Sequence, residues 1–322
     1  MPLPEKALIR RIRTLARGRA LPRKKAVTLT GIGDDSAVLR LPPGHEAVVT
    51  TDFSLEGTHF RREWHPAESV GHRCLARGLS DIAAVGGSPI AAFLSLALPE
   101  ALPQKWVDSF LAGFLRLGRH FRVVLAGGDL AESHGGILAD VTVLGSCPAG
   151  KAVLRSGARP GDSIYVTGEL GRSAAVLEQL RSHLEVKIRA REQRAHYFPH
   201  PRIEIGLWLR EHRLVTAMID VSDGLSTDLT HICEQSRVGA VIGEYSIPRP
   251  SNLKTSGLHF ALHGGDDYEL LFTAPASARL PAKIAGVRIS RIGEITKYRK
   301  LWLADSHGQR KPLLPHGWEH FG

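Results

Sequence analysis

Six short segments of this chain set an aspartate beside glycine or another small residue at the margin of an apolar run. They are Gly31-Ile-Gly-Asp-Asp-Ser-Ala, Val48-Val-Thr-Thr-Asp-Phe, Leu79-Ser-Asp-Ile-Ala-Ala, Val123-Val-Leu-Ala-Gly-Gly-Asp, Ile219-Asp-Val-Ser-Asp-Gly-Leu and Gly264-Gly-Asp-Asp-Tyr-Glu-Leu-Leu. A folded chain normally keeps carboxylates on solvated faces, because burying one without a partner is costly. Repetition of this junction in both halves therefore points to aspartates held together by something that neutralises them. Oxygen-only ligands suit Mg²⁺, and clustered Mg²⁺ suits phosphoryl transfer.

The remaining composition sets wide bounds. At 322 residues the chain is long enough for two domains, and its 43% apolar and 23% charged content is that of a globular protein. Three cysteines, Cys74, Cys147 and Cys233, form no CxxC pair, which fits a reduced cytosolic interior and argues against a secreted disulfide scaffold or a zinc ribbon. Met1–Ile12 mixes charge with apolar residues and carries no secretory h-region. The uncharged stretch Ile82–Pro99 is interrupted by Gly86-Gly-Ser-Pro89 and reads as a buried helix end, a turn and a strand rather than a membrane span. The formal charge of +10 sits largely in Arg10–Lys25 and Arg181–Arg194. Nucleic acid could use such runs, but they lack interleaved aromatics and a recognition motif, so solvated helix faces are favoured.

Apolar spacing predicts an N-terminal helix through Leu8, Ile9, Ile12 and Leu15, and further helices over Ser69–Val85 and Lys105–Phe121. Strands are predicted at Glu46–Thr51, Ile90–Leu98, Arg122–Ala126 and Ile137–Gly145, with a boundary near Cys147-Pro-Ala-Gly150. Beyond it come a strand at Ser163–Thr167, a basic helix from Ser173 to about Arg189, a helix at Ile203–Arg213, a strand at Val215–Asp220 and a helix over Leu225–Gln235. Strands at Val238–Glu244, Tyr268–Thr273 and Gly286–Ile295 follow. The irregular alternation predicts an α+β fold in two domains, residues 1–148 and 149–322.

Neither a P-loop nor a GxGxxG fingerprint after a strand is present. Val166-Thr-Gly-Glu-Leu-Gly171 is a strand-to-helix turn that could face phosphate or could simply need glycine's backbone freedom. Sixteen histidines occur without HExxH, no GxSxG marks a serine hydrolase, and Cys74 has no evident catalytic partner. Taken singly, Asp34, Asp162 and Asp223 suit turn or cap roles. Jointly the acids are harder to dismiss. Asp52, Asp129 and Asp220 terminate apolar runs, where a strand's end would present a side chain to a shared crevice, and Asp81 sits inside an otherwise apolar helix. Without cations such acids would repel one another.

These segments resemble the thiamine-monophosphate kinase family, of the superfamily that includes aminoimidazole ribonucleotide synthetase, selenophosphate synthetase and a hydrogenase maturation protein. The resemblance spans nearly the whole chain, in order. It runs through Gly31-Ile-Gly-Asp-Asp, Thr51-Asp-Phe-Ser-Leu-Glu-Gly-Thr-His-Phe60, Leu79-Ser-Asp-Ile-Ala-Ala-Val-Gly86, Gly127-Gly-Asp129, Arg155-Ser-Gly-Ala-Arg-Pro-Gly-Asp162, Ile219-Asp-Val-Ser-Asp-Gly-Leu225, Gly265-Asp-Asp-Tyr-Glu-Leu270 and Gly317-Trp-Glu-His-Phe321.

The resemblance implies ATP-dependent phosphorylation of thiamine monophosphate to thiamine diphosphate, and a homodimer whose N-terminal sheets pair into a barrel. By the same resemblance Asp35, Thr50, Thr51, Asp52, Asp81, Asp129, Asp220 and Asp223 match Mg²⁺-binding positions. Gly128, Asp129, Arg155 and Ser222 match nucleotide contacts, while His59, Asp266 and Trp318 match substrate contacts. The inventory agrees with the chemistry, since a phosphate acceptor is already anionic and needs no general base. Departures are Asp266 where the family usually has glutamate, Ala76-Arg-Gly78 where an asparagine is common, and Val85 for a common methionine. Selenophosphate synthetase would carry a reactive cysteine before Cys74, and the hydrogenase maturation protein a C-terminal one; this chain has neither. A relative acting on another phosphorylated acceptor, or a basic nucleic-acid-binding protein with a degenerate site, are the alternatives.

Overall fold

A computed structural model describes residues 1–16, 28–182, 190–251, 253 and 257–321. The chain forms two compact units, Met1–Ile82 with Gly87–Gly150, and Ala83–Gly86 with Lys151–Gly322.

The first unit runs α1 (Glu5–Ala16), β1 (Thr28–Thr30), β2 (Val38–Leu39), β3 (His45–Leu55), α2 (Ala67–Ala84), β4 (Ser88–Leu98), α3 (Gln104–Phe121), β5 (Val124–Gly127), β6 (Leu130–Glu132) and β7 (Leu138–Pro148). Its main sheet has the order β3-β7-β4-β5, with β6 also beside β4. Strand β7 is antiparallel to β3 and β4, whereas β5 and β6 run parallel to β4. Helix α2 lies directly on one face, so closely that a Cβ on Gly78 would come 2.6 Å from the Val143 side chain. It buries Val70, Cys74, Leu75, Leu79 and Ile82, and α3 adds Val107, Phe110, Leu111 and Phe114. Each such side chain contributes roughly 1.5–3 kcal/mol of transfer free energy.

The second unit contains β8 (Ser163–Thr167), α4 (Arg172–Arg181), α5 (Ala190–Tyr197), α6 (Ile203–Glu211), β9 (Ala217–Val221), α7 (Leu225–Ser236), β10 (Gly239–Gly243), α8 (Gly257–His263), β11 (Glu269–Ala274), β12 (Lys283–Ile284), β13 (Val287–Thr296), β14 (Leu301–Ala304) and β15 (Arg310–Pro312). Its sheet has the order β15-β14-β10-β13-β8-β11-β9 and is antiparallel except where β10 meets β14. Leu225, Leu229 and Ile232 of α7 share a core cluster with Ile219, Val221 and Leu271 of the sheet. Both units are mixed sheets with helices, and the fold is α+β.

Several expectations shift. Strand β3 continues to Leu55, paired with β7 without a break from His45↔Pro148 to Leu55↔Leu138, so Asp52 lies inside the strand and not at its end. The alternation carries on through Phe53 and Leu55, which outweighs the acid as a local signal. Helix α4 stops at Arg181, and residues 183–189 of the expected basic helix lie outside the described residues, as do 17–27 of the N-terminal basic run. Within the described part of that run, Arg11 donates to both carboxylate oxygens of Asp108 at 2.6 and 2.7 Å. Helices α5 and α8 and strands β1, β2, β6, β12, β14 and β15 were not expected from spacing. Among the described residues no helix is long and apolar enough to cross a membrane.

Candidate functional site

The first unit offers an all-oxygen face. Strand alternation separates the consecutive residues Thr50, Thr51 and Asp52. Thr50 and Asp52 face α2, where the Thr50 hydroxyl donates to Asp81 Oδ2. The Thr51 hydroxyl lies on the opposite face and donates to Asp140 Oδ1 at 2.9 Å. Its side chain therefore does not join Thr50, Asp52 and Asp81. Burial above all, with Asp52 and Asp140 adding to it, pushes the neighbouring Cys74 thiol up to about 12. That thiol is held protonated and inert, in keeping with its lack of a catalytic partner.

Two loops carry the other acids of this unit. Asp129 follows β5 and is exposed, its Oδ1 accepting the Leu130 N–H at 2.9 Å. The preceding Gly128 has φ 146°, and a Cβ there would come 1.8 Å from the Leu94 carbonyl oxygen, so only glycine fits. Asp35 is exposed in the loop before β2, with its N–H donating to Asp34 Oδ1 at 2.9 Å. His59 is half-buried in the turn after β3, and its Nδ1 accepts the Leu55 N–H at 3.0 Å. That bond places the proton of the neutral ring on Nε2.

In the second unit, one turn gathers the predicted residues. Strand β9 holds Asp220, which is 2% exposed, and ends in Ser222-Asp223-Gly224 before α7. Asp228, buried in the first turn of α7, accepts the N–H groups of Ser222, Asp223 and Gly224 on one oxygen at 3.2, 3.3 and 3.0 Å. Burial, then the charges of Asp220 and Asp223, hold Asp228 well above the usual carboxylate range. Two distant segments dock on the same turn. The Asp266 N–H donates to the Ser222 carbonyl at 2.8 Å, and the Trp318 N–H donates to the Asp223 carbonyl at 3.1 Å. Ser222, Asp223, Asp266 and Trp318 thus meet at one place, with the Trp318 side chain 48% exposed. Burial raises Asp223, Asp266 adds to this, and His231, His320 and Arg155 oppose it, which puts all four within electrostatic reach.

The glycine-rich turn after β8 is already engaged. The Gly171 N–H donates to Asp267 Oδ2 at 2.6 Å, so the opening of α4 holds an internal carboxyl where a phosphate could have been expected. Burial pushes Asp267 up to about 8. Glu269 is a strut: Arg202 donates to both its oxygens at 2.7 and 2.5 Å, and Thr167 donates at 2.5 Å.

The donor chemistry discriminates between cation sets. Thr50, Asp52 and Asp81 are hard oxygen donors, as Mg²⁺ requires. Asp223, Asp228 and His231 each bring one ligand atom within 4.8 Å of the others, but that group includes a nitrogen and Asp228 is committed to the turn. Reading the sequence missed Asp140, Asp228, Asp267 and Tyr268. Asp228 alone left a signal, an acid on the apolar face of Leu225, Leu229 and Ile232.

Comparison with known proteins bears on what this arrangement is. Residues 33–147 match the AIR synthase related protein N-terminal domain, and residues 159–303 match the corresponding C-terminal domain. The chain is 38% identical to the thiamine-monophosphate kinase of Salmonella typhimurium over 282 residues, 83% of this chain and 84% of that protein. The crystal structure of thiamine-monophosphate kinase from Stenotrophomonas maltophilia superposes with a TM-score of 0.83 at 34% identity, covering 97% of this chain and 99% of that one. AaThiL complexed with AMPPCP and TMP superposes with a TM-score of 0.78 at 29% identity, covering 100% and 99%. This chain belongs to the AIR synthase related proteins and, within them, to the thiamine-monophosphate kinase family.

Proposed function

We propose that this protein transfers the γ-phosphoryl group of ATP to thiamine monophosphate, giving thiamine diphosphate, by direct in-line displacement. The observation that supports this most is the meeting of Ser222, Asp223, Asp266 and Trp318 on one turn, in a chain similar over its whole length to AaThiL complexed with AMPPCP and TMP. Thr50, Asp52 and Asp81, with Asp35 and Asp129, would hold Mg²⁺ in the first unit, and Asp220 and Asp223 would serve as carboxylate ligands in the second. The ion, when bound, would neutralise charge on the phosphates.

The chain's own residues have separate tasks in this reading. Gly128 leaves backbone exposed where a side chain cannot stand, Ser222 offers a hydroxyl, and Arg155 a planar guanidinium for phosphate oxygens. His59, fixed as the Nε2–H tautomer, would donate to the acceptor, while Asp266 and Trp318 would flank it. No residue need take a proton, because the attacking phosphate oxygen is already ionised. The same reading includes a homodimer and a cytoplasmic location. The uncovered apolar residues of β3 support the dimer.

The test is a Mg²⁺-dependent assay offering thiamine monophosphate, thiamine and other phosphate esters in parallel. Thiamine diphosphate should form with inversion at phosphorus, and should not form once the cation is chelated. Asp52→Asn should lower turnover on the order of 100-fold or more at unchanged thermal stability, the scale of lost electrostatic stabilisation. Near-wild-type rates for that variant would refute the metal role, and turnover of a different ester alone would favour another acceptor.

A further inference from the structure

The segment Gly264–Tyr268 carries two residues in strained backbone conformations. Asp266 has φ 63° and Tyr268 has φ 51°, both in the left-handed region that non-glycine residues avoid. Two such residues within three positions persist only where surrounding bonds over-determine the backbone. Those bonds are present. The Asp266 N–H donates to the Ser222 carbonyl at 2.8 Å and the Tyr268 N–H to the Val221 carbonyl at 2.9 Å. Gly265 lies so close that a Cβ there would come 2.5 Å from the Ser222 carbonyl oxygen.

The strain has a definite product. It folds the Tyr268 ring back, 2% exposed, so that its hydroxyl donates to Asp266 Oδ1 at 2.6 Å. A bond from a buried phenol to a carboxylate is charge-assisted and directional, and it restricts rotation of a short side chain. Asp266 is therefore aimed by a residue two positions along the chain as well as by its own backbone.

We propose that Tyr268 is a positioning residue that fixes the Asp266 carboxylate for the acceptor. This rests on the reading that Asp266 contacts the acceptor. The pairing also gives a reason why aspartate serves at this position: the strap sets where its carboxylate stands.

The test is a double-mutant cycle on the full chain with Tyr268→Phe, Asp266→Ala and the pair. Kd for thiamine monophosphate is read by calorimetry with Mg²⁺ and a non-hydrolysable ATP analogue, alongside KM and kcat. Tyr268→Phe should raise Kd and KM for thiamine monophosphate by about 3- to 10-fold, a part of the roughly 10- to 150-fold that a hydrogen bond to a charged group is worth, because the bond acts on the acceptor only through Asp266. The kcat and the KM for ATP should stay within about 2-fold, and the double variant should match Asp266→Ala. An unchanged Kd in Tyr268→Phe, or effects that multiply in the pair, would overturn the proposal. Should Tyr268→Phe fold poorly, Asp266→Asn and Asp266→Gly, both of which accept φ 63°, are compared instead: Asp266→Asn keeps an acceptor for the phenol and should lose less thermal stability, and equal losses would count against the bond. Wild-type protein that makes no thiamine diphosphate overturns the kinase reading. An active wild type in which Asp266→Ala binds acceptor normally overturns only the role of Asp266 and, with it, that of Tyr268.

Discussion

His263, at the end of α8, shares a bond of 2.9 Å between its Nδ1 and the Ser226 hydroxyl, with the His259 and His316 rings at 5.1 and 5.5 Å. Burial, then the neighbouring His259 and His316, lower it from 6.5 to about 4. The folded protein keeps this ring neutral while the unfolded chain would protonate it near its ordinary value, so the unfolded state binds more protons as acid is added. Its contribution to stability is complete above about pH 6.5 and declines as the pH falls toward 4. The thermal midpoint of the protein should fall between about pH 7 and about pH 5, and His263→Gln should flatten that dependence. A slope as steep in the variant as in wild type would show that other groups carry it. At this scale the sequence was informative about the acids at apolar margins, because charge inside an apolar run is a local anomaly. For Asp228 it left only an acid on an apolar helix face, and for Tyr268 nothing, because the backbone donors that Asp228 holds and the carboxylate that Tyr268 holds are placed by the folded turn.

Helices α2 and α3 cross at a pair of glycines. A Cβ on Gly71 would come 1.9 Å from the Phe110 carbonyl oxygen, and one on Gly113 would come 1.9 Å from that of Glu68. Backbone contact of this kind leaves no flexible neighbour to give way. Gly71→Ala or Gly113→Ala should each destabilise the first unit by about 1–3 kcal/mol or more, read as a lower urea midpoint with a folded circular-dichroism spectrum in water. Midpoints at the wild-type value would mean that the helices separate without cost. Both helices were legible from apolar spacing, as were β4, β7, β8 and β9. Helix α8 was not, since Gly257-Leu-His-Phe-Ala-Leu-His263 is short and its histidines blur any apolar face. Strand β15 hides for a related reason: Arg310-Lys-Pro312 has no apolar alternation and is strand only because β14 lies beside it.

For the molecule as a whole, the uncovered side of the first sheet matters most. β3 stands at the end of the strand order and turns Val49 and Phe53 outward, 62% and 54% exposed. An eleven-residue edge strand with apolar residues on its open face invites pairing with a second copy. Phe53→Glu should convert a dimer to a monomer in sedimentation equilibrium; wild-type protein that sediments as a monomer at micromolar concentration would remove the dimer from the proposed function. What could be known in advance, and what could not, divides along a physical line. Element type, the oxygen-only chemistry of the acids and the resemblance of their order depend on neighbours in the chain, and period and charge report those directly. That Thr50 and Asp52 face α2 while Thr51 faces Asp140, that Asp228 and Asp267 occupy backbone donors, and that Tyr268 aims Asp266 depend on strand register and on the docking of 264–268 and 317–318 against the turn after β9. The Thr50–Asp81, Thr51–Asp140 and Asp267–Gly171 bonds and the docking of those two segments span long sequence separations, where no local pattern encodes which partner arrives. The bonds of Asp228 and Tyr268 are short in sequence but form only once the turn and the strained segment are folded.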